Sequence, residues 1–164
     1  MSGKKIKNKK GFTLSELLVA IIVLSLMTVM LATGAGLAAR SYRTLTDESN
    51  AQVLVSTFAS MLRNELSNAK DVELSDGVYT YQKGESNSLM GMKTDSKNQV
   101  MIGELGNEKV LISNVTATND LYVSVESIEY SDAEKLFSVK GIAARRKSDD
   151  EVISSIELLL ISNN

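Results

Sequence analysis

The chain has 164 residues, 18 basic and 20 acidic, and it contains no cysteine, histidine, proline or tryptophan. Those absences exclude disulfides, thiol nucleophiles, Ser-His-Asp catalysis and cysteine- or histidine-ligated metal centres. The length suits one domain and is too short for two independent cores of ordinary size.

The net charge of −2 hides an asymmetry. Residues 1–11 carry Lys4, Lys5, Lys7, Lys9 and Lys10 and no acid, whereas the body after them is acidic. An acidic body is a poor match for a phosphate backbone, so no nucleic-acid partner is expected. The basic cluster reads as the leader of an export signal, because a hydrophobic run follows at once.

From Gly11 to Ala39 the chain reads GFTLSELLVAIIVLSLMTVMLATGAGLAA, interrupted by a single charge at Glu16. At about 1.5 Å per residue, Leu17–Ala39 makes a helix of roughly 35 Å, enough to cross a hydrocarbon core of about 30 Å. The lysines before it outnumber Arg40 and Arg43 after it, which predicts a cytoplasmic N-terminus and an extracytoplasmic remainder. The apolar run is too long for an ordinary secretory signal. Glu16 also stands inside it, where a carboxylate is costly and needs a cation. The lysines are one candidate. Another is the α-amine that a cut between Gly11 and Phe12 would create, one helical turn from Glu16.

The string KKGFTLSELLVAIIVLSLM resembles the prepilin N-terminus shared by type IV pilins and type II secretion pseudopilins. The resemblance spans residues 4 to about 40. It implies that a prepilin peptidase cuts after Gly11 and that the new N-terminus, Phe12, is methylated. It also implies that Glu16 pairs with the N-terminal amine of a neighbouring subunit during assembly. The partners it implies are other pilin or pseudopilin subunits, the prepilin peptidase, an inner-membrane assembly platform, and membrane lipid before assembly. The final location would be a cell-surface or periplasmic filament. Many pilins have a kinking proline in the distal half of the span. Here the stretch is Thr33-Gly34-Ala35-Gly36, whose glycines would either loosen the helix or permit close helix contact.

Residues 40–70 continue as an amphipathic helix ending near Asp71. Ala51, Leu54, Val55, Phe58, Met61, Leu62, Leu66 and Ala69 form its apolar stripe. From residue 71 to 164 the period changes to two. Strands are predicted at Val78–Gln82, Leu89–Met92, Gln99–Leu105, Lys109–Thr116, Leu121–Tyr130, Lys135–Ile142 and Glu151–Ile161. Leu158-Leu159-Leu160-Ile161 is apolar on both faces and predicts a strand end covered on both sides. The chain thus divides into a leader (1–11), a membrane half (12–39), an amphipathic half (40–70) and an antiparallel β domain (71–164). The fold class is α+β, a long N-terminal helix on an antiparallel sheet, which is also the pilin fold that the resemblance implies.

No active site, cofactor site or metal site stands out, and an enzyme is not expected. Asp149-Asp150-Glu151 reads as a solvated turn, and Asp95-Ser96-Lys97-Asn98 lacks the oxygen ligands and glycine of a calcium loop. The sequon Asn114-Val115-Thr116 lies in a predicted strand. Arg145-Arg146-Lys147 reads as a solvated turn or as a contact for an anionic partner. The leading expectation is a structural filament subunit, against a secreted binding domain released by ordinary signal peptidase near Ala32–Ala39. Leu54–Val72 faintly resembles minor pilins and J-type pseudopilins, and the absence of cysteine removes the disulfide-closed loop of many major pilins.

Overall fold

Leu14–Leu66 form one uninterrupted helix, α1. The computed structural model describes residues 12–83, 88–112 and 120–162. No proline interrupts the helix, and it runs straight through Gly34 and Gly36 without unwinding. In its apolar half the hydroxyls turn back onto the backbone: Ser25 Oγ donates to the Ile21 carbonyl (2.8 Å), Thr28 Oγ1 to Leu24 (2.8 Å) and Thr33 Oγ1 to Val29 (2.6 Å). Each polar group is thereby satisfied within the helix, as a hydrocarbon environment requires.

The chain packs as two units, one ending at Thr44 and the other beginning at Leu45. In the first unit every described side chain is exposed.

In the second unit α1 buries a stripe made by Ala51, Leu54, Val55, Phe58, Ala59, Leu62 and Leu66. Met61, expected in that stripe, is 43% exposed, and Ala59 takes the place beside Phe58. The helix stops at Leu66, earlier than expected, and Ala69 opens a strand that the pattern did not announce. Ala69 is buried all the same, so its apolar position suits either conformation.

Nine strands follow among the described residues. β1 (Ala69–Ser75), β2 (Val78–Lys83), β3 (Leu89–Thr94), β4 (Val100–Glu104) and β5 (Lys109–Val110) form an antiparallel meander in chain order. Asp76 and Gly77 join β1 to β2 with φ of 51° and 78°, the two left-handed residues that a tight hairpin needs. The expected strand at Leu121–Tyr130 is two strands, β6 (Leu121–Ser124) and β7 (Ser127–Ser131). Both pair with β8 (Leu136–Arg146), and β9 (Val152–Ser162) takes its other edge. β8 runs past the expected end at Ile142, because its partners extend to Leu121 and Val152.

Gly141 explains the break between β6 and β7. Its φ is +63°, and a Cβ there would lie 2.6 Å from Glu126 Cβ. Val125 N at the break donates to Asn98 O (2.8 Å) instead of to β8. Burial changes phase across the kink, from Phe137 and Val139 to Ile142 and Ala144, so both halves of β8 reach the core.

The core contains Phe58, Leu62 and Leu66 of α1 with Tyr81, Met92, Val100, Phe137 and Ile142 of the sheets. Tyr79 joins the sheets, donating its hydroxyl to Ile128 O (2.9 Å) while its ring meets Phe137 edge-on at 6.2 Å. Polar ties fix the helix. Tyr81 OH donates to Glu65 Oε1 (3.2 Å), Lys83 Nζ lies 2.5 Å from Glu65 Oε2, and Arg146 pairs with Asp47 (3.8 Å). Burial and the adjacent Glu65 carboxylate push the Tyr81 hydroxyl well above its usual range. One expectation fails at the C-terminal end. Leu158 and Leu160 are 48% and 50% exposed while Leu159 and Ile161 are buried. β9 pairs with β8 alone among the described strands, and only its inner face is covered.

Two predictions follow from this packing. Phe58→Ala should destabilise the β domain by about 3–5 kcal/mol, and Val53→Ala, on the exposed face, by less than about 0.5 kcal/mol. Thermal unfolding of the full chain in detergent, followed by near-ultraviolet circular dichroism, distinguishes the two. The other concerns Glu108. Its side chain is 4% exposed beside Lys93 Nζ (2.8 Å), and Gly106 N donates to its carboxylate (2.9 Å). Lys93 first, then the Gly106 amide, holds the acid at about 2 against an ordinary 4.5. A depressed acid stabilises the fold fully above its unfolded value and loses that contribution as pH falls through its folded value. Glu108→Gln should therefore lower the urea midpoint at pH 7, with the gap to the parent closing between pH 4.5 and about 2. A gap independent of pH would disprove the assignment.

Candidate functional site

The first turn of α1 and the two residues before it hold two of the three residues that the sequence singles out, Phe12 and Glu16. Gly11 lies outside the described residues. Phe12 is 86% exposed and stands two positions before the first helical residue, Leu14. Glu16 lies in the first helical turn.

The local sequence Thr13-Leu14-Ser15-Glu16 builds a capping box. Thr13 is the cap: its Oγ1 accepts from Glu16 N (3.3 Å). Glu16 reaches back, and its Oε2 accepts from Thr13 N (2.9 Å) and from Thr13 Oγ1 (2.8 Å). The first full helical bond closes from Leu17 N to Thr13 O (3.2 Å). Sequence reasoning weighed Glu16 as a charge in an apolar run and missed this role, although the spacing of a threonine three residues before a glutamate announces it.

Both Thr13 bonds fall on Oε2. Among the described residues, Oε1 carries no hydrogen bond. Glu16 shares its helix face with Phe12, Ser15, Val19, Ala20 and Val23, which line a shallow groove of about 580 Å³. The small side chains of Ser15 and Ala20 make the depression. The site therefore offers one uncommitted carboxylate oxygen beside an apolar groove with an open side. Such a surface is suited to receiving a cation carried on an apolar helix.

The weaker sequence candidates have structural uses. Asp95 Oδ1 accepts from Lys97 N and Gln99 N, both at 2.8 Å, and so closes its own turn. Asp149 accepts from Glu151 N (3.2 Å) and pairs with Arg146 (3.1 Å). The Glu151 amide, then Arg146, pulls the Asp149 acid down. Arg146 also meets Glu151 at 2.6 Å. The sequon Asn114-Val115-Thr116 lies outside the described residues.

The cap generates a prediction. Thr13→Ala should remove the Oγ1 that caps Glu16 N and donates to the Glu16 carboxylate, leaving that carboxylate only the backbone amide of residue 13, and raise amide exchange at Ser15 and Glu16 about fivefold, the equivalent of about 1 kcal/mol. Hydrogen exchange of the micelle-embedded chain measures this, with Thr13→Ser keeping the parent rate.

The prokaryotic N-terminal methylation motif family matches residues 6–32. Among curated proteins and solved structures, none matches the chain. The matched segment contains Gly11, Phe12, the capping box and the first part of the apolar run. It agrees with the long apolar helix, whose most hydrophobic stretch has a mean hydropathy of 2.5 and no burial. The chain thus carries the N-terminal methylation motif of type IV pilins and pseudopilins, on an α+β fold of one long helix against antiparallel sheets.

Proposed function

We propose that this chain is a membrane-anchored prepilin whose N-terminal helix, once trimmed, builds it into a type IV pilus-like or type II secretion filament. A prepilin peptidase cuts between Gly11 and Phe12, and Phe12 is methylated. The lysine-rich leader faces the cytoplasm, and the β domain lies outside the membrane. The observation that carries this reading is the methylation motif ending in a helix whose apolar half has no cover from the described residues of its own chain. An all-round apolar helix needs lipid or other helices. Lipid supplies the cover before assembly and neighbouring subunits supply it afterwards.

Glu16 sets the register in this scheme. Its Oε2 holds the cap, and its free Oε1 takes the α-amine of a neighbouring Phe12. The incoming helix stops where the two charges meet, since an unpaired charge in an apolar bundle is costly. We assign the chain to the minor subunits, which start or cap a fibre. The absence of cysteine supports that assignment, because a disulfide-closed loop is then unavailable.

Intact mass of the protein from cells tests the processing step. The expected species lacks residues 1–11 and carries one methyl group on Phe12. A mature N-terminus within Ala32–Arg40 would mean release by ordinary signal peptidase. For assembly, Glu16→Gln and Glu16→Leu should both be processed normally and both be depleted about tenfold or more from sheared fibres or crosslinked complexes relative to the membrane pool. Wild-type incorporation of Glu16→Leu would overturn the pairing.

A further inference from the structure

A cleft of about 1040 Å³ lies far along the chain from the motif, on the outer face of the sheet built around β8. Its floor follows from register. One rung pairs Ser124 with Ala143 and Ala143 with Ser155. On the next outer rung Gly141 has no side chain at all. Small floor residues leave the depression, and the Ser96–Asn98 loop, tied to the strand break by the Asn98 carbonyl, walls one side.

The two ends of the cleft carry opposite charge. At one end Tyr122 and Arg145 are paired across the strands. Arg145 donates to Ser124 Oγ (3.0 Å) and to the Asp150 carbonyl (3.0 Å), and the Tyr122 hydroxyl donates to Asp150. Lys97 Nζ stands 6.0 Å from the centre of the Tyr122 ring, and Lys147 lines the same end. Among the lining residues this end carries Lys97 and Arg145 with one carboxylate, Asp150, which pairs with Arg145 (3.5 Å), while Asp95 acts on the Tyr122 hydroxyl from outside the lining. At the other end Glu126 lies over Gly141. Glu157 is set opposite Gly141 by the flanking pairs Lys140–Leu158 and Ile142–Ile156. Neither carboxylate has an ion pair among the described residues. Four residues of strand, about 13 Å at about 3.3 Å each, separate the ends.

We propose that this cleft docks an extended polypeptide segment of a partner protein, one bearing a basic side chain and an acidic side chain about four residues apart. The basic side chain enters between Glu126 and Glu157, and the acidic one meets Arg145 and Lys97. A neutral saccharide would not use two separated ends of opposite sign. A uniformly acidic or basic ligand would meet repulsion at one of them. A polypeptide also suits the border of the cleft, because β9 lines it and keeps one edge unpaired among the described strands. The inference concerns the β domain in any assembly state and does not depend on the filament reading.

The test uses the full chain in detergent micelles and fluorescence anisotropy of labelled eleven-residue peptides. One peptide carries Lys and Asp four residues apart on a Ser/Thr-rich extended core. A second has Gln and Asn in their places, and a third has Asp at both positions. The first should bind saturably, and about tenfold tighter than either control at low salt, with the preference shrinking as salt is raised. Glu157→Gln, at an exposed position, should weaken it severalfold, and Glu126→Lys with Glu157→Lys should shift the preference to the doubly acidic peptide. Equal binding of charged and neutral peptides, or no saturation up to about 1 mM, a weak-binding limit, would overturn the proposal. Displacement by maltotetraose would overturn it too and give the cleft to a saccharide.

Discussion

The stretch from Leu14 to Ala39 has no polar face, and none of the described residues of its own chain covers it. That one constraint divides the protein. A helix apolar on every side is stable only where its surroundings are apolar, in a bilayer or among like helices. The remainder of α1, from Ala51 onward, carries apolar residues on one stripe only, and there the chain supplies its own cover. Two ways of satisfying the hydrophobic effect thus share one unbroken backbone. The details of the apolar half are consistent with it: hydroxyls bonded back to their own helix, and a lone carboxylate held in a cap at the first turn.

The cap gives Glu16 a second use. A carboxylate has two oxygens, and a capping box needs only one of them. The arrangement around Thr13 leaves Oε1 unengaged within the described residues. Cap and intersubunit pairing therefore do not compete. The acid need not leave its structural role to meet a cation from outside. A preorganised carboxylate also loses less side-chain freedom on pairing than one searching among rotamers.

In the β domain the corresponding decision is made at Gly141. A left-handed residue in the middle of an 11-residue strand changes which side chains face inward, and only glycine fits beneath Glu126. The kink lets β8 contribute Phe137 and Val139 before it and Ile142 and Ala144 after it to a single core. The same absence of a side chain leaves the floor of the outer cleft low. Packing on the inside and concavity on the outside have a common cause.

What was legible in the sequence was whatever depends on short-range pattern. The leader, the apolar run, the helical stripe at Leu54, Phe58 and Leu62 and the alternating strands were all readable, because burial periodicity records local geometry. The capping box is legible as well, in the spacing of Thr13 to Glu16. Other features left no local trace. Ala69 is apolar and buried whether helix or strand continues, so the end of α1 was ambiguous. β1 has charged residues along an edge and a register shift between Lys70 and Glu73, and its alternation is lost. Leu158 and Leu160 looked like buried positions, yet they are half exposed because none of the described strands lies beyond β9. Local pattern is enough to say where the chain must meet an apolar environment and which half of its helix it can cover. Which strands lie side by side came from the folded chain alone, and with it the placing of Glu126 and Glu157 about one glycine and of Tyr122 and Arg145 four residues away. Strand pairing joins residues distant in the chain, and no local periodicity carries that information.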